Sequence, residues 1–509
     1  MYSKTITCSL LGLNGKAIEV ESDITTGLPN FLIVGLPDSS IKESKERVRV
    51  AILNSGYNFP PGRITVNLSP ADLKKEGTQL DLPIAISLLN SMGVITYPYD
   101  DYVFLGELSL AGKIVPIRGA LAMIIAMREL GYKKFIIAED NKDECAIIND
   151  VEILPFDNLN DIVSFLNKEK EVKPYQIDLY KINNKVTYDL DFSDLKGQES
   201  LKRALQIAAA GGHNVLMIGP PGSGKTFSAK HLPTILPDMT FDEKVEVTKI
   251  YSIMGLLDRG QLVNERPFRS PHHSASEVAL IGGGHSIPKP GEISLAHRGV
   301  LFLDEFPEFD KKTIEGLREP LENREINISR SQASLKYPSD FILIAAMNPC
   351  PCGNYGNPLK ECTCTQNEIR RYLNKISAPI LDRIDIHIEI APVKYEDLKD
   401  KSPSKSSAEL KEGVIKAREI QNVRYEKENI RSNSELSTNQ MKRYIKLKPK
   451  VEKVAQLAFD KYNFSVRSFN KILKMARTIA DLDKSIEIEE KHVLEAVRYR
   501  ALDDKYWTV

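Results

Sequence analysis

The sequence predicts a multidomain α/β protein with an α+β amino-terminal domain, a parallel α/β core and a helical carboxyl-terminal domain. A chain of 509 residues exceeds the size of one ordinary domain. Its middle carries two apolar runs of strand length, 214–218 and 299–303. The first leads into a glycine-rich loop and the second into Asp304 and Glu305. Continuous apolar strands are typical of parallel sheets that are buried on both faces.

The glycine-rich loop at 219–226 fits the phosphate-loop pattern G-x-x-x-x-G-K-[ST] at every fixed position. Its glycines let backbone N–H groups surround phosphates at the start of the following helix. We expect Lys225 to neutralise the β- and γ-phosphates and the Thr226 hydroxyl to ligate Mg²⁺. The alternative is a Gly/Pro turn that matches by accident, which the strand-loop-helix context disfavours. The predicted nucleotide-binding residues are Gly219, Pro220, Pro221, Gly222, Ser223, Gly224, Lys225, Thr226 and Asp304.

Three polar side chains follow the predicted strands, at the edge where parallel sheets bind ligands. Asp304 suits Mg²⁺, and Glu305 suits a base that orients the attacking water. A third apolar run, 341–347, ends at Asn348, whose amide is also suited to orient that water. These residues predict an enzyme that hydrolyses ATP with Mg²⁺ as cofactor.

The composition is that of a soluble globular protein, with 42% hydrophobic and 27% charged residues. No apolar run approaches about 18 residues, and the amino terminus has no extended apolar region typical of a signal peptide. We therefore expect a cytoplasmic protein with no membrane partner. Lys+Arg and Asp+Glu both number 69, so a contact with nucleic acid requires a local basic patch.

The first predicted domain, residues 1–165, mixes short strands with helices. Its segments 67–83 and 106–119 resemble the Lon-type protease fold. Such proteases use a serine nucleophile and a lysine base, but the matching positions hold Gln79 and Leu121. We therefore expect a non-proteolytic scaffold or docking module.

The remaining chain divides by composition and helical periodicity. A charged linker is predicted at 166–193, an ATPase core at 194–395 and a helical lid at 396–509.

Residues 325–337 alternate around a turn-like segment and predict a β-hairpin with Arg330 and Lys336 near its tip. If copies of this hairpin line a pore, its basic groups would follow phosphates without reading sequence. The alternative is that both residues are solvated surface charges.

Four further side chains in and beyond the core are candidates for contacts with phosphate or substrate. Arg383 suits an arginine finger. Arg467, at a predicted helix start, suits a second phosphate sensor, although a surface salt bridge is the commoner role of an isolated arginine. His272 and His273 are possible ligands, but ordinary loop hydrogen bonding is the favoured interpretation.

Four of the six cysteines form two C-x-C pairs. Four thiolates can close a tetrahedral Zn²⁺ site, whereas free or redox-active thiols are the alternative, because C-x-C is tighter than the usual C-x-x-C spacing. The candidate zinc ligands are Cys350, Cys352, Cys362 and Cys364.

Taken together, these motifs resemble the magnesium-chelatase-like AAA+ ATPases, and among them the ComM/YifB group. The resemblance covers nearly the whole chain, from the Lon-like first domain to the helical lid. It rests on the motifs at 219–226, 270–273, 290–297, 299–305, 348–349 and 381–383.

The resemblance implies a ring, expected to be a homohexamer. Lys225, Thr226, Asp304, Glu305 and Asn348 would serve one subunit's ATP, with Arg383 supplied by the neighbour. ComM-type proteins act as DNA helicases that drive branch migration during uptake of transforming DNA, so single-stranded or branched DNA is the expected partner. A chelatase subunit that inserts Mg²⁺ into a porphyrin, or a protein-remodelling ATPase, are the alternatives.

Overall fold

The computed structural model describes residues 2–75, 77–177, 188–257, 262–284, 287–330, 334–392 and 404–507. The chain forms two compact units, Met1–Lys185 with Phe241–Asn264, and Val186–Thr240 with Glu265–Val509. Within the described residues, no helix is both long and apolar enough to cross a membrane. Part of the predicted linker, the boundary at 395/396 and the hairpin turn at 331–333 lie outside the described residues.

Strands and helices alternate along most of the chain. The strands are β1 Tyr2–Leu11, β2 Asn14–Thr25, β3 Asn30–Val34, β4 Arg63–Ser69, β5 Tyr102–Leu105, β6 Glu107–Leu108, β7 Ile114–Val115, β8 Lys134–Ala138, β9 Glu152–Phe156, β10 Val215–Ile218, β11 Phe268–Arg269, β12 Gly282–Gly283, β13 Lys289–Pro290, β14 Val300–Leu303, β15 Glu325–Ser329, β16 Ser334–Pro338, β17 Ile342–Met347 and β18 Ile386–Glu389. The helices are α1 Ser39–Asn54, α2 Asp81–Ser91, α3 Ala120–Glu129, α4 Lys142–Cys145, α5 Leu159–Leu166, α6 Glu199–Gly211, α7 Lys225–Ile235, α8 Phe241–Met254, α9 Glu277–Ile281, α10 Glu292–Leu295, α11 Lys311–Glu315, α12 Arg318–Asn323, α13 Gln366–Leu373, α14 Ala378–Leu381, α15 Ser407–Arg424, α16 Thr438–Tyr444, α17 Pro449–Lys461, α18 Val466–Leu482, α19 Glu490–Arg498 and α20 Leu502–Trp507.

The first unit is built on a seven-stranded mixed sheet in the order β3-β4-β2-β1-β5-β8-β9. The β1–β2 and β2–β4 pairs are antiparallel, and the other neighbours are parallel. Helices α1 and α2 cover this sheet with the aliphatic residues of one core cluster. This mixture of strands and helices agrees with the α+β character predicted for the first domain.

Helix α8 belongs to the first unit, although its residues lie within the predicted ATPase core at 194–395. The Ser252 hydroxyl donates to Glu144 Oε2 at 2.7 Å, and the Ser252 carbonyl accepts from the Gly119 N–H at 3.1 Å. Burial raises the pKa of Glu144, and the hydrogen bond from Ser252 partly offsets this rise. Because buried polar groups need partners, these bonds fix α8 against α3 and α4.

The second unit contains a five-stranded sheet in the order β11-β14-β17-β10-β18, and all its neighbours are parallel. Every residue of β10, β14 and β17 is buried, which confirms the three strands predicted from apolar runs. Ile218 lies opposite Met347, and Leu303 opposite Ala345. The carboxyl ends of these strands therefore meet at one edge of the sheet.

The predicted hairpin is confirmed as the antiparallel pair β15–β16. Arg330 follows β15 directly, as predicted for a residue near the turn. Lys336 does not lie near the tip, because it is opposite Asn327 within the ladder and its ammonium pairs with Glu325 at 2.8 Å. One face of the hairpin is packed, and its buried residues are Ile326, Ile328, Leu335 and Tyr337.

The carboxyl-terminal part is helical, as predicted, and buried ion pairs tie it to the parallel sheet. Asp385, just before β18, accepts from Lys471 Nζ on α18 at 2.6 Å and from the Asn214 N–H at 3.0 Å. Burial opposes the ionisation of Asp385, but Lys471 and His213 hold the pKa of its carboxyl well below the usual range. A buried carboxylate with these partners fixes the position of α18 beside the start of β10.

Candidate nucleotide-binding site

The phosphate loop connects the central strand β10 to helix α7. Gly222 and Gly224 adopt left-handed backbone conformations, with φ of 75° and 84°, which glycine enters without steric cost. Helix α7 begins at Lys225, immediately after Gly224. The first N–H groups of an α-helix lack intrahelical partners, so this turn offers donors to a bound phosphate.

Lys225 connects the phosphate loop to the end of β17. Its ammonium donates to the Gly219 carbonyl at 2.7 Å, the Pro220 carbonyl at 3.0 Å and Asn348 Oδ1 at 3.1 Å. Burial lowers the pKa of Lys225, while the carboxylates of Asp304 and Glu305 act in the opposite direction. All three acceptors are neutral oxygens, so a charged phosphate competes well for the ammonium.

The two predicted magnesium ligands lie in direct contact. The Thr226 hydroxyl donates to Asp304 Oδ2 at 2.6 Å. A hydroxyl and a carboxylate from these positions are the protein oxygens with which phosphate-loop enzymes hold Mg²⁺ beside the phosphates. The residues present therefore fit a magnesium ion, which would supply charge neutralisation to the β- and γ-phosphates.

Glu305 lies beside a histidine that the sequence analysis interpreted as ordinary. His273 Nδ1 is 3.0 Å from Glu305 Oε2, and the Glu305 backbone has a left-handed φ of 49°. His272 does make a local bond, since its Nδ1 lies 2.8 Å from Ser274 Oγ. Local hydrogen bonding, the favoured interpretation, describes His272, whereas His273 contacts Glu305, the residue predicted as the base.

A second contact to the loop comes from the start of α6. The Gln198 side-chain amide donates to the Ser223 carbonyl at 3.0 Å, and Gln198 itself has a left-handed φ of 55°. A non-glycine residue in this conformation is uncommon and marks a position that the surrounding structure determines. Gln198 therefore joins the candidate site, although no motif in the sequence marks it.

The two predicted phosphate-sensing arginines share one carboxylate. Arg383 Nη2 donates to Glu322 Oε2, and Arg467 Nη2 donates to Glu322 Oε1 at 3.2 Å. Both line a cavity of about 710 Å³ together with Lys471 and Lys474. Among the described residues, no phosphate-loop residue lines this cavity, and neither do Asp304, Glu305 and Asn348. The structure thus joins Arg383 to Arg467 and not to the phosphate loop of the same chain.

The four cysteines of the C-x-C pairs converge just beyond Asn348. Their Sγ atoms all lie within 4.8 Å of one another. The Sγ–Sγ distances are 3.4 Å for Cys350–Cys352, 3.7 Å for Cys350–Cys362 and 3.6 Å for Cys352–Cys362. These distances exceed the roughly 2.05 Å of a disulfide bond, so the sulfurs form a cluster of free thiols.

A phosphate loop, a hydroxyl–carboxylate pair for Mg²⁺ and an adjacent glutamate at one edge of a parallel sheet define a phosphate-loop ATPase site. Three family models match the chain and agree with this class. They are "Magnesium chelatase, subunit ChlI" at residues 191–398, "Subunit ChlI of Mg-chelatase" at 20–141 and "Magnesium chelatase, subunit ChlI C-terminal" at 404–500.

Similar proteins show to which group of this ATPase class the chain belongs. The chain is 44% identical to "Uncharacterized protein YifB" of Escherichia coli over 98% of this chain and 96% of the relative. It is 41% identical to "Competence protein ComM" of Haemophilus influenzae over 97% of this chain and 96% of the relative. "Magnesium-chelatase subunit ChlI" of Cyanidium caldarium is 25% identical over 48% of this chain and 74% of the relative. The chain belongs to the magnesium-chelatase-like AAA+ family, in its ComM/YifB group.

Two substitutions separate nucleotide binding from hydrolysis. Lys225→Ala removes the ammonium, and we expect ATP binding to be lost. Glu305→Gln keeps Thr226 and Asp304 in place, so ATP should bind normally while hydrolysis falls by about 10²–10⁴, the usual contribution of a general base. Binding of a fluorescent ATP analogue and steady-state phosphate release measure the two effects. Equal loss of ATP binding in both variants contradicts the roles given to these residues.

The position of His273 predicts a defect in turnover rather than in binding. His273→Ala leaves the Glu305 carboxylate unrestrained, and we expect kcat to fall by about tenfold with little change in KM, since positioning errors act on the chemical step. His273→Asn should recover much of the rate because its amide nitrogen can replace Nδ1. His272→Ala is the control for loss of the neighbouring ring, whose centroid lies 4.1 Å from that of His273, and should lower kcat less than His273→Ala does. A fall in kcat that Asn does not relieve would indicate a purely structural role.

Proposed function

We propose that this chain is an ATP-hydrolysing ring motor, a homohexamer, that translocates or remodels single-stranded or branched DNA. The observation that carries the proposal is the packed β15–β16 hairpin, which presents Arg330 on the same unit as the ATPase site. The similarity to a competence protein over nearly the whole chain supports DNA as the substrate. Branch-migration helicase activity in transformation or recombination is the specific form of this proposal.

The hairpin suits a sequence-independent contact with phosphates. Its buried face leaves Asn327, Ser329 and Ser334 exposed, and Arg330 is exposed directly after Ser329. The Arg330 guanidinium contacts the carbonyl of Ser329 at 3.2 Å, a neutral acceptor that leaves its charge uncompensated by that bond. Lys336 is less available for a phosphate, because Glu325 already pairs with its ammonium. In a ring, repeated Arg330 side chains would form a basic band along a pore.

The position of Arg383 and Arg467 on the Glu322 carboxylate supports catalysis across a subunit interface. Arg383 and Arg467 lie together on Glu322, while Lys225, Thr226, Asp304, Glu305 and Asn348 form a separate group. A guanidinium has five N–H donors, so each arginine keeps further donors beyond its bond to Glu322 and, for Arg383, a bond to the Pro379 carbonyl at 2.8 Å. We assign both arginines to the ATP of the neighbouring subunit, with Arg383 as the finger.

The proposal extends to the first unit and to the cofactors. The first unit is a Lon-like, non-proteolytic docking module, since Gln79 and Leu121 are buried and supply neither nucleophile nor base. ATP and Mg²⁺ are the cofactors of the motor, and the four-cysteine cluster holds Zn²⁺. A magnesium-chelatase-like or protein-remodelling ATPase that does not act on DNA is the alternative.

Rings that contain two different variants test whether neighbouring subunits share one ATP site. Arg383→Ala should bind ATP yet hydrolyse it slowly, by a factor on the order of 10³, because an arginine finger acts on the transition state. Combining Arg383→Ala with Lys225→Ala subunits creates interfaces that have an intact phosphate loop on one side and an intact finger on the other. We expect partial recovery of ATP hydrolysis in such rings. Stable mixed rings without any recovery argue that Arg383 acts within its own chain.

Removing the positive charges of the hairpin tests whether DNA is the substrate. Arg330→Ala plus Lys336→Ala should retain basal ATP hydrolysis and lose DNA stimulation and branch migration, since phosphate contacts supply most sequence-independent affinity. Arg330→Ala alone should account for most of the loss. ATPase rates with single-stranded, duplex and branched DNA over a salt series provide the measurement.

The matched control for the hairpin variant is Lys442→Ala plus Lys453→Ala, which removes the same charge from exposed positions on α16 and α17. This control should keep the stimulation by DNA. If the wild-type protein neither binds DNA at low salt nor responds to branched DNA, the DNA motor is wrong and the non-DNA alternative gains support.

A further inference from the structure

We propose that the four-cysteine loop is a zinc-held clamp on the phosphate loop, so that zinc occupancy sets how well the site binds and turns over ATP. The inference rests on the proposed ATPase function and on the proposed zinc occupancy. It concerns the cysteine loop, 350–364, which runs from the end of β17 to helix α13.

The sulfur positions match the dimensions of a zinc site. A tetrahedral ion with Zn–S bonds of about 2.3 Å separates its ligands by about 3.8 Å. The Sγ–Sγ distances of 3.4, 3.6 and 3.7 Å lie close to this value. Backbone N–H groups also point at the sulfurs, from Tyr355 to Cys350 at 3.3 Å and from Cys352 to Cys364 at 3.4 Å. Such bonds stabilise thiolates and orient them as ligands.

The cysteine loop is connected to the nucleotide site through Asn348 and contacts it again at Gly353. Asn348, which accepts from Lys225, lies two residues before the first ligand, Cys350. Further along, Gly353 lies so close to the phosphate loop that a Cβ there would be 2.5 Å from Pro221 Cδ. Gly353 also has a left-handed φ of 79°. The loop therefore passes directly over Pro221 in a conformation that favours glycine.

The other side of the cysteine loop rests on the carboxyl-terminal helix. The rings of Tyr355 and Tyr506 pack edge to face with centroids 6.3 Å apart, and Cys350 belongs to the same core cluster as Tyr506. The loop has no regular helix or strand between β17 and α13. A bound ion would supply the rigidity that hydrogen-bonded secondary structure gives elsewhere.

The test uses the full chain purified under reducing conditions without added metal. Elemental analysis should find about one zinc per chain, and Cys362→Ser plus Cys364→Ser should lose it. We expect this variant to bind a fluorescent ATP analogue about tenfold more weakly and to lose thermal protection by ATP, because the loop over Pro221 is no longer held in place before ATP binds. Cys8→Ala plus Cys145→Ala, at buried positions of the first unit, is the control and should keep zinc and affinity.

The possible results distinguish zinc binding, the effect of zinc on the ATP site, and ATP hydrolysis itself. Wild-type protein with no zinc, or with iron in its place, overturns the zinc clamp whatever the ATPase does. Loss of zinc with unchanged ATP affinity and turnover shows a metal site without a clamp. Intact zinc in a protein that hydrolyses no ATP contradicts the proposed motor instead. Substitution of Co²⁺ should give the thiolate-to-metal absorption of a four-sulfur site, and its absence would contradict the ligand set.

Discussion

The parallel register of β10, β14 and β17 is the constraint on which the candidate site depends. The Gly219 N–H donates to the carbonyl of Met347 at 3.1 Å, which continues the β10–β17 ladder into the phosphate loop. Asn348 consequently emerges beside that loop, within reach of Lys225. A shift of one residue would turn alternate side chains to the other face and separate these groups.

The sequence predicted the parts of this site that depend on local patterns. The phosphate loop has fixed spacing, and the buried strands are continuous apolar runs, so both are visible without tertiary information. The contact between His273 and Glu305 was not predicted, for a physical reason. His273 follows β11, an edge strand of only two residues, which is too short to show a periodic pattern in the sequence. Its contact with Glu305 exists only because the sheet forms.

Long-range pairing also explains the other differences. The α8 segment lies between two elements of the second unit in the chain, yet its buried partners Glu144 and Gly119 belong to the first. Helical periodicity shows that one face is apolar, not which core that face enters. Glu322 likewise meets Arg383 and Arg467, which are 61 and 145 residues away in sequence. Lys336 reaches Glu325 diagonally across the ladder only once the hairpin register is set.

The order of elements in the chain links the ATP site to the hairpin. Helix α12, which carries Glu322, leads directly into β15, and β16 leads into β17, which ends at Asn348. The hairpin is therefore flanked by the residue that holds both arginines and by the residue that contacts Lys225.

The base of the hairpin is also fixed by charge. Asp340, between β16 and β17, accepts from Arg324 at 2.8 Å and pairs with Arg298, and burial of this carboxylate is offset by these guanidinium groups, which lower its pKa. In the proposed motor, we expect a movement of Glu322 or Asn348 to tilt the hairpin rather than bend it, since packed elements shift as bodies. Release of Arg383 and Arg467 from Glu322 to a neighbouring phosphate would then displace Arg330, and this displacement would couple ATP at the proposed ring interface to the proposed strand in the pore.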